Sequence, residues 1–215
     1  MKIMVVAATA LELSCMRDLD RIEPNGLITA VHGVGLVAAT FQLTALMDSH
    51  QPDIIVQVGI AGGFSNKIFL GEAVAVETEY LADMGVEETG KFHSIFDMQL
   101  VDENAYPFQQ KKLSNPHMHL IEKSGLKKVI GITVNQITTS TNQINYYKET
   151  YHPVIESMEG AAFHYCCLMK KIPFLQIRAV SNQIGERDKS KWEIKKSLDT
   201  LHKTMNEILK NISIG

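Results

Sequence analysis

The chain has 215 residues, of which 45% are hydrophobic and 21% charged, the ordinary composition of a globular protein and enough length for one α/β domain with a substantial core. Its formal net charge of −3 gives no general attraction for nucleic acid or an anionic membrane, and both are excluded as partners. Cys15, Cys166 and Cys167 have neither the spacing of a disulfide scaffold nor that of a zinc site, which fits a reducing compartment. The N-terminal residues lack the apolar run of a signal peptide, and no run reaches transmembrane length, so a cytoplasmic protein is expected.

Taken in chain order, β-branched apolar runs at residues 2–8, 27–32, 53–59, 73–79, 129–133 and 174–181 predict strands. They alternate with helical spacing at residues 37–49, 160–171 and 189–210. Near-continuous apolar runs suit strands covered on both faces. The alternation predicts an α/β fold, and one domain is expected over residues 1–215. Residues 106–120, polar and carrying Pro107 and Pro116, read as the most loop-like insertion. Lys191, Lys195 and Lys196 read as the solvated face of a helix. His117 and His119 lack the further spacing of a metal site.

Five short segments stand out. Met1 to Ala8 leads to Glu12. His32-Gly33-Val34-Gly35 follows the second strand. Gly59-Ile60-Ala61-Gly62-Gly63 follows the third and reads as a small-residue turn, with or without a ligand against its backbone. Ser157-Met158-Glu159-Gly160-Ala161-Ala162 puts a carboxylate before a helix, as a cap or as a functional group. Arg178-Ala179-Val180-Ser181-Asn182 ends an apolar strand. In open α/β sheets ligands collect beyond the carboxyl ends of strands, where these segments lie.

In their order and spacing these five segments make the chain resemble the purine nucleoside phosphorylase and nucleosidase superfamily. The similarity is to its hydrolytic branch of methylthioadenosine/adenosylhomocysteine nucleosidases and futalosine hydrolases. The resemblance implies a single-domain three-layer sandwich around a mixed, twisted central sheet, no cofactor, no metal, and at least a homodimer. It also implies site roles. Glu12 would activate a water, Arg178 would help to position it, Glu159 would bind the ribose hydroxyls and Met158 would contact the sugar. Ser181 and Gly62 would lie at the substrate. For Glu12, a polar residue in a first helical turn has the plain alternative of a helix start, while burial among Ala7, Ala8, Leu11 and Leu13 would suit a carboxylate to taking a proton.

Two departures bear on the chemistry. The family's Gly-Ser-Ala-Gly-Gly reads Gly59-Ile60-Ala61-Gly62-Gly63 here, so one hydroxyl contact to water is missing. The family's Ser-Asp reads Ser181-Asn182. An Asn amide can donate to O6 of a 6-oxopurine and accept from a protonated N7, so hypoxanthine suits it better than adenine. An Asn that only turns the chain is the alternative.

The only arginines are Arg17, Arg21, Arg178 and Arg187, a poor set for holding a phosphate dianion, so water is the expected nucleophile. A hypoxanthine leaving group, with further likeness to futalosine hydrolase at residues 81–87, 173–178 and 187–192, points to futalosine. This menaquinone precursor would yield dehypoxanthinyl futalosine. Where the family presents backbone and an aromatic ring to the base, Asn135, Gln136 and Ile137 are expected, with the Ile137 backbone at the pyrimidine edge and Gln136 in place of the ring. Phe92, Phe96 and Phe108 are candidates for the substrate tail, with Arg187 or Lys91 as its cation. Other readings are a methylthioadenosine/adenosylhomocysteine nucleosidase, a purine nucleoside phosphorylase, and a non-catalytic nucleoside sensor, which would have no need of Glu12.

Overall fold

The structure, a computed structural model, describes residues 1–14, 16, 27–64 and 68–213. Cys15, Arg17 and Arg21 lie outside the described residues. Strand β1 (Ile3–Ala7) is buried along its length. It pairs in parallel with β2 (Leu27–Val31) on one side and β3 (Ile54–Gly63) on the other. One edge of β3 is divided: residues 54–57 pair with β1, and residues 62–63 pair antiparallel with β9 (Ile155–Ser157). Its other edge runs parallel to β10 (Phe174–Gln183).

Strands β4 (Ala73–Leu81) and β8 (Lys127–Thr133) complete the sheet, in the order β10-β4-β8-β9-β3-β1-β2. Because β10 also pairs with β3, five strands close into a ring from which β1 and β2 extend. The expected mixed sheet is therefore present, and its divided third strand turns it back on itself.

Helices cover both faces. On one side α2 (Leu36–His50) and α5 (Gly160–Lys170) bury Leu43, Met47, Phe163 and Cys167 against Met4, Val6 and Ile55. On the other, α3 (Met118–Ser124) and α6 (Ile194–Ser213) bury Leu120, Leu201, Met205 and Leu209 against Val5, Val56 and Ile177. Helical spacing of the apolar residues in α6 makes the stripe that faces the sheet. No helix among the described residues is long and apolar enough to cross a membrane.

Three expectations are corrected. The glycine-rich segment after the third apolar run is not a turn but the last half of β3, clasped between β9 and β10. Its glycines make room for crossing side chains: a Cβ on Gly59 would collide with Arg178 Nη1, and one on Gly63 would stand 2.7 Å from Val180. The helix expected over residues 189–210 divides, because Asp188 caps a short 3-10 turn at Lys189–Lys191 and the chain is extended at Trp192 before α6. The insertion at residues 106–120 holds β7 (Leu113–Ser114) on the edge of β4 and the start of α3, tied down by Asn115 Nδ2 donating to the Phe174 carbonyl. Further elements are α1 (Ala10–Ser14), a hairpin of β5 (Gly85–Glu88) and β6 (Lys91–Ser94), and α4 (Thr141–Thr150).

Candidate active site

A cavity of about 300 Å³ opens beyond the ends of β1, β3, β9 and β10, with Glu12, Glu156, Met158, Glu159 and Asn182 among its lining residues. Glu12 reaches it from α1 and is 6% exposed. Thr9 and Glu12 form a reciprocal capping box: the Glu12 N–H donates to Thr9 Oγ1 at 3.3 Å, and the Thr9 N–H donates to Glu12 Oε2 at 3.0 Å. The Thr9 hydroxyl adds a bond to Oε2 at 2.8 Å, and the Ile60 N–H donates to Oε1 at 3.1 Å. The helix-start and functional readings of Glu12 thus coexist, since the cap is what aims its carboxylate into the cavity.

Glu159 occupies the N-cap position of α5, yet its side chain does not cap that helix. Ser157 Oγ and Thr133 Oγ1 accept from the Gly160 and Ala161 N–H groups instead. This frees the Glu159 carboxylate to turn to the cavity, where Oε1 accepts from the Gly35 N–H at 3.0 Å. Burial pushes this carboxyl up from the ordinary glutamate range, opposed by the Arg178 charge. Gly35 has a φ of 84°, a backbone state that favours glycine, and so presents its N–H to the carboxylate.

Arg178 is 1% exposed and stands behind the two carboxylates rather than on the cavity wall. Its Nη1 lies 3.9 Å from Glu159 Oε2 and its Nη2 donates to Gln57 Oε1 at 2.8 Å. Gln57 Nε2 in turn meets His32 Nε2 at 2.9 Å, and His32 Nδ1 lies 2.9 Å from the Gly33 carbonyl. Since a carbonyl only accepts, Nδ1 carries the proton and Nε2 accepts from Gln57. Burial, aided by Arg178, lowers the His32 pKa to about 4, so the ring is neutral. This relay fixes the guanidinium without offering it a second charge.

At the opposite end of the cavity, a β-bulge in β10 between Val180 and Asn182 puts Ser181 out of register, a device that re-aims neighbouring side chains. Ser181 Oγ donates to Asn182 Oδ1 at 2.9 Å, and Asn182 Nδ2 donates to the Gln183 carbonyl at 3.1 Å. These bonds assign the amide orientation and leave each amide atom one further hydrogen-bonding position. A Cβ on Gly62 would lie 3.6 Å from Asn182 Nδ2, so Gly62 leaves space beside the amide.

Ile137, Met158, Ser181 and Gly62 line the cavity, but Asn135 and Gln136 do not. Asp83 accepts from the backbone N–H groups of both at 2.5 and 3.1 Å, which turns them outward and corrects their expected place at the base. Thr138 takes the next place on the wall beside Ile137. The expected tail residues are also revised. Phe96 and Phe108 pack on each other at 5.1 Å in the core, Phe92 packs on Tyr146 at 5.7 Å, and Lys91 is exposed on β6, away from the cavity. Arg187 does line the mouth, its guanidinium 5.5 Å from the Trp192 ring.

Sequence reasoning gave no role to Thr9, Gln57, His32, Thr138 or Glu156. Thr9 carried a readable signal, the Thr-x-x-Glu spacing of a capping box. Gln57, inside an apolar run, signalled only a buried polar group in need of partners. Among the described residues, no group of three His, Cys, Asp or Glu side chains is placed to hold a metal ion.

Comparison with known proteins shows the family and the fold. Residues 25–213 match the family model described as the phosphorylase superfamily. The chain is 30% identical over 190 residues to the futalosine hydrolase of Thermus thermophilus, covering 87% of this chain and 83% of that protein. It is 29% identical over 175 residues to the 5′-methylthioadenosine/S-adenosylhomocysteine nucleosidase of Tolumonas auensis, covering 79% and 74%. A solved structure of the corresponding nucleosidase from Helicobacter pylori superposes with a TM-score of 0.81 at 16% identity, over 97% of each chain.

Proposed function

The chain belongs to the phosphorylase superfamily and is a hydrolase of N-glycosidic bonds; we propose that its substrate is futalosine, cleaved to hypoxanthine and dehypoxanthinyl futalosine in menaquinone biosynthesis. The observation that carries this reading is Asn182 on the cavity wall, with one free position on each amide atom. A 6-oxopurine leaving as its N7-protonated form offers N7–H to Oδ1 and O6 to Nδ2. An aspartate there would face O6 with a second acceptor.

The nucleophile follows from charge. Glu12, Glu156 and Glu159 bring three carboxylates to one cavity, which repels a phosphate dianion. Arg178 is spent on Gln57 and Glu159, and Arg187 sits at the mouth. Water suits this field. Glu12, held by Thr9 and Ile60, takes the proton from water as it attacks C1′. Glu159 accepts from the ribose hydroxyls while Arg178 offsets its charge. The C1′–N9 bond breaks, its electron pair leaves with the base, and N7 takes a proton from solvent so that neutral hypoxanthine departs; Glu12 returns the proton it took to solvent.

Arg187, stacked on Trp192, is the cation for a carboxylate-bearing tail. Val37 and Phe41, 86% and 71% exposed on α2 just after the cavity residue Val34, support a homo-oligomer whose partner covers that helix.

The test is incubation with futalosine, its 6-amino analogue, inosine and methylthioadenosine without phosphate, followed by identification of the released base. Hypoxanthine from futalosine is expected. Turnover of the 6-amino nucleosides with none of futalosine would select the methylthioadenosine/adenosylhomocysteine nucleosidase reading instead.

A further inference from the structure

Behind the cavity, four fully buried polar side chains meet: Glu79 on β4, Thr133 on β8, Gln176 on β10 and His164 on α5. Two glycines make room for Glu79. A Cβ on Gly160, the first residue of α5, would collide with its Oε1, and one on Gly131 would stand 2.7 Å from the same atom. The carboxyl therefore lies directly under the helix start whose N-cap residue is Glu159. Thr133 joins the two. Its hydroxyl donates to Glu79 Oε2 at 2.9 Å, which leaves its oxygen to accept from the Ala161 N–H at 2.7 Å.

The donors and acceptors of the cluster determine the state of this carboxyl. His164 Nδ1 lies 2.8 Å from the Leu113 carbonyl, which can only accept, so Nδ1 carries the proton. Burial lowers the His164 pKa to about 4, so the ring is neutral and its Nε2 is an acceptor. With Glu79 ionised, Gln176 Nε2 donates to Oε1 at 2.8 Å, while Gln176 Oε1 and His164 Nε2 are buried without a partner. Both atoms have then lost water and gained nothing. Turning the Gln176 amide over exchanges its oxygen and nitrogen at almost no change in shape. A protonated Glu79 Oε1 then donates to the amide oxygen, and the amide nitrogen is turned toward His164, the ring on which Gln176 acts. Every group from the Ala161 N–H to the Leu113 carbonyl is satisfied only with this one acid proton in place. Burial favours the same state, pushing the Glu79 carboxyl up to about 7.

We propose that Glu79 is a positioning residue held as a neutral acid, whose proton completes the cap of α5 and so keeps Glu159 open to the ribose. This rests on the reading of Glu159 as the ribose-binding carboxylate. With Thr133 fixed as the acceptor for Ala161, the Glu159 side chain is not drawn back onto its own helix, the usual place of an acidic residue at an N-cap. The ionisable groups around Glu79 are Arg178 on β10, Glu159 at the start of α5 and the neutral His164 within it. A neutral Glu79 leaves the Arg178 charge to Glu159, whereas an ionised one would compete for the first and repel the second.

The test compares the wild type, Glu79→Gln and Glu79→Ala at pH 6, using whichever of futalosine and methylthioadenosine the wild type cleaves and, separately, binding of free hypoxanthine and adenine. Glu79→Gln presents an oxygen to Thr133 and an N–H to Gln176, as the neutral acid does, and should keep kcat/KM within about threefold. Glu79→Ala should raise KM for the nucleoside at least about tenfold while binding of the free base changes by less than about twofold. The wild type should also show the infrared band of a protonated buried carboxyl that Glu79→Gln lacks. If Glu79→Ala does not fold, Thr133→Val cuts the same link and should give the same split. Unchanged kinetics in the variant used, or equal weakening of nucleoside and free base, would overturn the positioning role and leave the nucleosidase reading standing. A Glu79→Gln variant as impaired as the one that cuts the link, or a wild type without the carboxyl band, would overturn the neutral acid. A wild type that cleaves neither nucleoside overturns the nucleosidase reading, and this role falls with it.

Discussion

The Ile60 backbone N–H donates to Glu12 Oε1 at 3.1 Å, so position 60 holds this carboxylate through its main chain and its side chain is free to be apolar. The Thr9 hydroxyl adds a second donor to this carboxylate, 2.8 Å from Oε2. Glu12→Gln keeps the shape and loses the proton acceptor. Its kcat should fall by about 10²-fold or more with substrate affinity nearly unchanged. Near-normal single-turnover rates in the variant would clear Glu12 of this role.

Glu159→Gln should behave differently. The amide oxygen can still accept from Gly35, but the charge facing Arg178 is lost. Because the ribose contact exists before and during bond cleavage, KM should rise as kcat falls. Steady-state kinetics on futalosine separate this pattern from that of Glu12→Gln.

The six strands and the five segments around the cavity were legible because each rests on local pattern: apolar runs, helical spacing, small residues at fixed offsets; the three layers were implied by the family resemblance. What escaped is set by pairing. The Gly59 to Gly63 segment reads as a turn until β9 and β10 are seen on both its edges. Likewise, Asn135 and Gln136 read as base contacts until Asp83, some fifty residues away in sequence, turns them out. The β5–β6 hairpin carries no apolar alternation, and its turn is marked only by Thr89 and Gly90 at positive φ.

Stability against pH should report on Glu79, which lies outside the cavity lining. It is fully buried on β4, bonded by Thr133 and Gln176, and burial pushes its carboxyl up to about 7 from 4.5. A folded-state pKa above the unfolded value gives stability that is complete below pH 4.5 and is lost as pH rises through 7. Glu79→Gln has no charge to bury, so its stability relative to wild type should increase across that window, by up to roughly 3 kcal/mol. Urea unfolding of both proteins at pH 4.5 and 8 measures the difference. A constant offset at the two pH values would show that Glu79 titrates alike in both states.

Covering α2 with a second copy predicts that Phe41→Asp together with Val37→Asp, both at exposed positions, lowers the mass seen in sedimentation equilibrium. Since Val34 lies at both the cavity and the start of this surface, the same double variant should raise KM. An unchanged mass would remove this face from assembly.

Asn182→Asp tests the reading of the base. Ser181 Oγ can still donate to the introduced carboxylate in place of the amide oxygen, so the local bond at 2.9 Å need not be lost. What changes is the group facing the 6-position, from a donor to an acceptor, and the substitution also removes the donor now given to the Gln183 carbonyl. A site built for the opposite hydrogen bond can cost on the order of a few kcal/mol. The ratio of kcat/KM for futalosine over its 6-amino analogue should therefore fall at least about tenfold, equivalent to roughly 1.4 kcal/mol. A uniform loss on both substrates reports damage to the site and leaves the ratio where it was; the ratio alone isolates hydrogen-bond polarity from folding and from positioning of the sugar. An unchanged ratio in a folded, active variant would mean that the amide does not face the 6-position.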